Sequence, residues 1–442
     1  MRRICLTLPT NRPCPATIAA VAGEAAYAAE RFGAEVHLLI LDSCPAAVYA
    51  EHTEAIRGLP DHPRIVVHHL DEAAQRDFLR RVITASGAAQ PDRLLELMLP
   101  DRLSYGACTN RAFLIARALG CESVHRRDSD SRYQSAGGRP VHPIHHELLS
   151  LGRRAADAAR DVSETGLDPA HQNKPVAMVG SSFIGELSVD IEEILRLDPE
   201  VYHDVVGLWA PMDWSAERKR QLVGESFRGA GAEPFRRDHS VLTLVDPMRV
   251  DMCNIAFHGV QEQVPLPPAT DTIGSDYFLI HLVHDAALPG VLHNRNIVNY
   301  YTGERRTDPG FLAYQLRFAK FLLSMRYFNV LYDRMAQAGP ELLDEHGRVR
   351  AAAIAGFARE SSTLDRTENH QRLDVLDAAY RQLGGRYAAF ADHLAAHRER
   401  LLDEAQRDIE DFALLTEAWE ALMRTAGHTA PHPSPQRPER AR

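Results

Sequence analysis

Residues 126–134 read RRDSDSRYQ. Asp128 and Asp130 put two carboxylates one residue apart on what reads as an extended turn. Such a pair can reach one ion directly or through water, and hard divalent cations take oxygen ligands. Arginines flank the pair, so a solvated turn with internal ion pairs is the competing reading. The chain before it favours the metal. NRAFLIARALG (110–120) has helical spacing ended by Gly120, and ESVHRR (122–127) reads as a short strand running into a loop. The acidic pair therefore falls at the carboxyl end of a strand, the edge at which parallel α/β sheets present ligand-binding side chains.

Three other polar clusters occupy comparable places. TLPTNRP (7–13) follows the apolar run RICLTL (3–8), which Pro9 stops. LDSC (41–44) follows EVHLLILD (35–42), and SYGACTNRAF (104–113) leads into the helix before the acidic pair. RIVVHHLD (64–71) is a third strand. PATIAAVAGEAAYAAERFG (15–33) is a helix with Gly33 as its cap, and DEAAQRDFLRRVITA (71–85) is an amphipathic helix. This alternation predicts an α/β domain with a mostly parallel sheet flanked by helices. Further on, HHELLSLGRRAADAARDV (145–162) reads as one helix, KPVAMVGSSFIG (174–185) as a strand, and SVDIEEILRLD (188–198) as a helix. SVLTLVDPMRVDMCNIAFHG (240–259) supplies two more strands.

The final third is helical. Phe311, Tyr314, Phe318, Phe321, Leu322, Met325, Phe328 and Tyr332 share one face, the stripe of a core-facing or oligomer-forming helix. Helices follow at 345–361, 370–396 and 398–425, and GHTAPHPSPQRPERAR (427–442) has the composition of a disordered tail. The expected division is an α/β domain over 1–306, a helical C-terminal domain over 307–425 and a disordered tail over 426–442.

Composition narrows the function classes. The 442 residues are 45% hydrophobic and carry a formal charge of −10, which weighs against a nucleic-acid partner. No apolar run reaches the roughly 18 residues of a membrane span, and Pro9 and Pro13 interrupt the N-terminal stretch before a signal-peptide core forms. Cys5, Cys14, Cys44, Cys108, Cys121 and Cys253 include no CxxC pair, which points to a reduced, cytoplasmic setting without a zinc or disulfide framework. No HExxH motif is present, and His142, His145 and His146 read as a helix start with solvated imidazoles. GSSFIGE (180–186) lacks the lysine of a phosphate-binding P-loop, although Glu186 or Asp190 could touch a sugar.

In their order and spacing, PTNR, LD, GACTNR and DSD resemble the GT-A-type glycosyltransferases, which use nucleoside-diphosphate sugars. CNIAF (253–257) and GSDYF (274–278) extend the resemblance, which spans residues 3–305. It implies a GT-A-like fold and a divalent metal, Mn²⁺ or Mg²⁺, held by Asp128 and Asp130 with His293. It implies donor or acceptor contacts from Asn11, Arg12, Asp42, Asn110, Arg111, Asn254 and Arg295, with Asp42 at the base or ribose. Asp276 stands where relatives carry an acidic pair, here Ser275-Asp276, and becomes the catalytic base or an acceptor ligand. As a base at a helix N-terminus it should have a lowered pKa. The implied activity is transfer of a sugar to a small-molecule acceptor, inverting if Asp276 is the base and open to retention if it only orients the acceptor. A homo-oligomer through the helical region also fits. The Ala- and Arg-rich style is similar to actinobacterial glycosyltransferase-like proteins of specialised metabolism. Two other functions share the scaffold. One is a catalytically degenerate GT-A-fold binding protein. The other is a sugar nucleotidyltransferase, whose N-terminal Gly-rich loop is missing from LTLPTNRPCP.

Overall fold

In a computed structural model of the chain, residues 1–186, 191–300 and 303–431 are described. The N-terminal half forms the expected parallel array. β1 (Arg3–Thr10) lies between β2 (Glu35–Asp42) and β4 (Ser123–Arg127), and β3 (Ile65–Leu70) flanks β2. Ile4, Cys5, Leu6 and Leu8 are all buried, as a strand covered by helices on both faces requires. β1 does not stop at Pro9 but runs to Thr10. Its pairing with β4 ends at Thr7, so Pro9 has only β2 beside it, where a proline is tolerated.

Beyond β4 the sheet becomes mixed. The strand Asn254–Phe257 enters antiparallel between β4 and Met178–Gly180, and Gly290–His293, Ser240–Thr243 and Glu164–Thr165 complete nine strands. Asn254–Phe257, Ser240–Thr243 and Glu164–Thr165 run against the other six strands, so the sheet is mostly parallel, and with the helical region that follows it is the α/β architecture the sequence implied. A second small sheet joins Phe183–Gly185, Ile297–Asn299 and Ser131–Tyr133. It clamps the chain just after Asp130.

Among the described residues, five α-helices make up the C-terminal region: Asp308–Ala338, Ala351–Ser362, Thr367–Leu383, Gly385–Ala396 and Arg398–Ala426. The last packs on the α/β half, against Glu72–Ser86 and Tyr105–Ala118. One apolar cluster runs from Cys5 through Phe257, Phe278 and Phe318 to Ala426. Phe318 and Leu322 are wholly buried, so this part of the aromatic stripe faces a core. Trp419 of the last helix is also buried, and its indole N–H donates to the Gln261 carbonyl at 3.1 Å.

Three expected elements are divided. The helix over 145–162 is two short helices, Ile144–Ser150 and Ala155–Ala158, because Gly152 takes a left-handed φ of 75° between them. The helix over 370–396 breaks at Gly384 and Gly385 (φ 71° and 53°). The strand over 174–185 splits at Ser181 and Ser182. The tail from residue 432 onward, and Asp190, lie outside the described residues. No helix among the described residues is long and apolar enough to cross a membrane.

Candidate active site

The carboxyl ends of β1 and β4 open on a cleft of about 1210 Å³. Arg126, the fourth residue of β4, is buried at its base. Its guanidinium donates to Asp276 Oδ2 at 2.5 Å and lies 3.1 Å from Asp128 Oδ1. From the loop after β1, Arg12 reaches Asp130 Oδ2 at 3.2 Å. Asn11, Arg12, Asp128, Asp130 and Asp276 thus line one cleft although they span most of the α/β half. Burial disfavours the charge on Arg126, but Asp128 and Asp276 outweigh it and hold the guanidinium well above its ordinary pKa.

Asp276 lies in the single turn Ser275–Tyr277, ahead of the helix Phe278–Asp285. Gly274 allows the turn with φ 72°, and a Cβ there would come within 2.9 Å of the Phe321 ring. The Asp276 carboxylate caps no backbone N–H; it faces Arg126. The expected helix-end lowering of its pKa therefore does not operate. Burial raises the pKa above the ordinary carboxylate value, against Arg126 and with help from Asp128 and Asp251. Beside it, the Tyr277 hydroxyl donates to Asp251, and burial together with that carboxylate holds the phenol well above its usual range.

The other expected residues lie elsewhere. Leu41 and Ser43 line the cleft, but Asp42 between them faces inward. Its Oδ2 accepts from His52 Nδ1 at 2.7 Å and from His69 Nε2 at 2.8 Å, and its Oδ1 from the Cys44 N–H at 3.0 Å. Burial opposes its ionisation, yet these bonds hold its pKa far below the usual carboxylate range. Ligand atoms of Asp42, Cys44 and His52 lie within 4.8 Å of one another, a spacing that could hold a metal. However, His52 Nε2 accepts the Cys14 N–H at 3.0 Å. Both His52 nitrogens are therefore occupied, and the site is complete as a hydrogen-bonded cluster.

Gly106 and Asn110 fasten a loop rather than a ligand. Asn110 Nδ2 donates to the Leu266 carbonyl and the Leu266 N–H returns to Asn110 Oδ1, both at 2.8 Å. A Cβ on Gly106 would meet the Pro267 carbonyl oxygen at 1.9 Å. Gly106→Ala is therefore expected to lower stability by about 1–3 kcal/mol, read as a denaturant midpoint; an unchanged midpoint would show that the clasp yields freely. Helix Tyr105–Ala118 begins earlier than the sequence suggested, which puts Asn110 and Arg111 in its second turn. Arg111 borders the cleft but spends its guanidinium on Gln75 Oε1 at 2.8 Å and the Met98 carbonyl at 2.6 Å.

Asn254, Arg295 and His293 do not line the cleft. Asn254 donates to the Ser182 and Arg295 carbonyls at 3.2 and 3.0 Å. Arg295 pairs with Asp238 at 2.6 Å. His293 ends its strand inside a buried histidine group. It stacks on His146 with ring centroids 5.3 Å apart and accepts the Arg295 N–H at 3.2 Å. Burial, then His146 and Arg127, hold its pKa well below the ordinary value. The His142–His146 segment is likewise packed rather than solvated, with His142 and His146 both buried. Glu186 pairs with Arg306 at 3.0 Å.

The sequence reading missed the other wall. Helix Asp308–Ala338 turns Tyr314, Arg317, Phe321 and Met325 toward the cleft, and Trp209 and Phe227 from the 199–240 region join them. The 3–4 residue spacing of that helix was legible; that one part of the stripe borders a cavity was not. Phe227 has φ 58°, a left-handed conformation that costs a bulky residue about 1–3 kcal/mol.

Comparison with known proteins places the chain only broadly. No curated protein matches it. Among solved structures, the mannosyltransferase PcManGT from Pyrobaculum calidifontis, in complex with GDP-Man and Mn²⁺, is similar over 97% of this chain and 87% of that one. Its identity to this chain is 13% and its TM-score 0.35. The model of a family of unknown function (DUF6271) matches residues 2–435, and the chain belongs to that family.

Proposed function

We propose that the protein is a metal-dependent glycosyltransferase that moves a sugar from a nucleoside-diphosphate sugar to a small-molecule acceptor. One observation carries the reading. Arg126 joins Asp128, at the carboxyl end of β4, to Asp276, more than a hundred residues later, on one cleft. Asp128 and Asp130 both line that cleft, and a carboxylate oxygen is the donor type a hard dication takes. A divalent cation held there would neutralise diphosphate charge as the leaving group departs.

The chain's own groups supply the rest. Asp276 accepts the proton of the acceptor hydroxyl as its oxygen bonds to the sugar C1. The C1–O bond to the diphosphate breaks, and the electron pair leaves with the nucleoside diphosphate. A base with a raised pKa is the stronger proton acceptor, and Arg126 fixes its orientation. In-line attack by a hydroxyl activated in this way inverts the anomeric centre. Arg12, at the mouth of the site, is placed to exchange Asp130 for a phosphate oxygen.

The test is thermal stability of the full chain with a panel of nucleotide sugars, with and without Mn²⁺. The expected result is a rise in melting temperature that needs Mn²⁺ and is lost in Asp130→Ala. No shift with any nucleotide sugar would sink the reading. A second function, a binding protein without catalysis, draws on the fact that both carboxylates already face arginines. Binding of a nucleotide sugar without Mn²⁺ and without turnover would favour it.

A further inference from the structure

We infer that the apolar end of the cleft is a separate subsite that binds a planar aromatic acceptor bearing an anionic group, with Arg317 as the partner of that group. The inference deepens the transferase reading and rests on it for the word acceptor. It begins from an unbroken chain of contacts. Asp276 faces Arg126 and Asp128 on one side. On the other, Gly274, two residues before it, packs against the Phe321 ring so closely that a Cβ would lie 2.9 Å away. Phe321 meets Trp209 edge-on at 5.3 Å, and Trp209 meets Phe227 at 5.5 Å. The base therefore stands between an acidic end and an aromatic end.

Two further observations point to a ligand at the aromatic end. Phe227 is held at φ 58°, a conformation seldom adopted by an aromatic residue, and Gly229 follows at φ 55°. The two left-handed residues bend the loop so that residues 227–229 line the cleft, with Gly229 tight against Phe183. Backbone strain kept at the wall of a cavity is a mark of a binding site. In addition, Arg317 lies one helical turn before Phe321 on the cleft face and is half-buried. It makes no hydrogen bond or ion pair among the described residues. A guanidinium on a cleft wall pairs bidentately with a carboxylate or phosphate. Apolar walls with a few placed polar groups are the make-up of small-molecule sites. The cleft, at about 1210 Å³, exceeds the roughly 1,000 Å³ that bounds a site for one drug-sized ligand, so it has room for two substrates.

The experiment uses 4-hydroxycinnamate and indole-3-acetate, each beside its neutral primary amide, in ligand-observed NMR titrations of the full chain. Trp209→Leu, Phe227→Leu and Arg317→Gln are compared with wild type after melting curves confirm folding. Wild type should bind the acids, and Trp209→Leu and Phe227→Leu should weaken acids and amides alike by about tenfold. Arg317→Gln should weaken the acids by roughly tenfold and leave the amides unchanged. The inference is overturned if wild type binds none of the aryl probes, or if Arg317→Gln affects acid and amide equally. It is also overturned if Arg317→Gln weakens a nucleoside diphosphate instead, which would assign the guanidinium to the donor. Nucleotide-sugar thermal shifts are read in the same samples. Shifts without aryl binding overturn this inference and leave the transferase reading intact. Aryl binding without such shifts supports the subsite and removes the transferase reading.

Discussion

Asp276→Asn is expected to lower kcat/KM for sugar transfer by about 10²- to 10⁴-fold, the usual contribution of a positioned base. Nucleotide-sugar binding should persist, because Asp128 and Asp130 stay in place. The amide keeps the size of the side chain and can still accept a hydrogen bond from Arg126, so the cleft should hold its shape. Two readouts separate a base from a merely structural acid. First, the wild-type kcat/KM should rise with pH through an acid limb displaced upward from the ordinary carboxylate value, since burial raises the Asp276 pKa. Second, Asp276→Glu should restore part of the rate with a displaced limb, whereas Asp276→Asn should lose the limb. If Asp276→Asn turns over at the wild-type rate, the base lies elsewhere, and Asp276 only orients the acceptor or holds Arg126.

The second large effect concerns stability. Arg127, next to the cleft arginine, points the opposite way into a sealed polar cluster. It donates to both Glu24 oxygens at 2.9 Å and to Glu147 at 3.0 Å, and Glu147 also meets His125 Nδ1 at 2.6 Å. All four residues are buried. Arg127→Met leaves two carboxylates facing each other without a cation and should cost about 3–5 kcal/mol, measured as a shift in denaturant midpoint. The double variant Arg127→Met/Glu24→Gln should recover part of that loss, because less charge is stranded. Equal midpoints for wild type and Arg127→Met would show that the cluster carries no such weight.

The same cluster sets an acid limit. Burial works against the charge on Glu24, but Arg127 and the Tyr133 hydroxyl bring its folded pKa down to about 2 from 4.5. The unfolded chain thus binds this proton more readily than the folded one. The stabilisation is complete above the unfolded value and is lost as pH falls from 4.5 toward about 2. Glu24→Gln should flatten the fall in stability over that window, and a curve parallel to wild type would remove Glu24 from the account.

Much of the scaffold is local and was legible. Val36, Leu38, Leu39, Ile40 and Leu41 form a strand buried on both faces, and Gly33 ends its helix in the left-handed conformation that glycine adopts at least cost. Strand ends in a parallel array point one way, so RRDSDS had to open on the same edge as PTNR. That is why Arg12, Asp128 and Asp130 meet. Roles read from side-chain type were less secure. Asp42 is an acid at a strand end, as expected, but His52 and His69 arrive from different elements and turn it into the centre of a buried cluster. Asn110 looked like a ligand contact because its partner, Leu266, lies 156 residues away in sequence.

The sequence by itself determined the α/β order, the helical C-terminal third and the edge on which the acidic pair falls. Each follows from periodicity and capping, which act within about one to three turns of chain. Only the tertiary structure decided which arginine serves the cleft. Arg126 and Arg127 are adjacent, and successive strand residues point to opposite faces. One therefore reaches Asp128 and Asp276, while the other is sealed against Glu24 and Glu147. The aromatic wall was decided in the same way. Phe321 has the spacing of a core residue, and it borders a cavity because Gly274 and Trp209 approach it from distant parts of the chain.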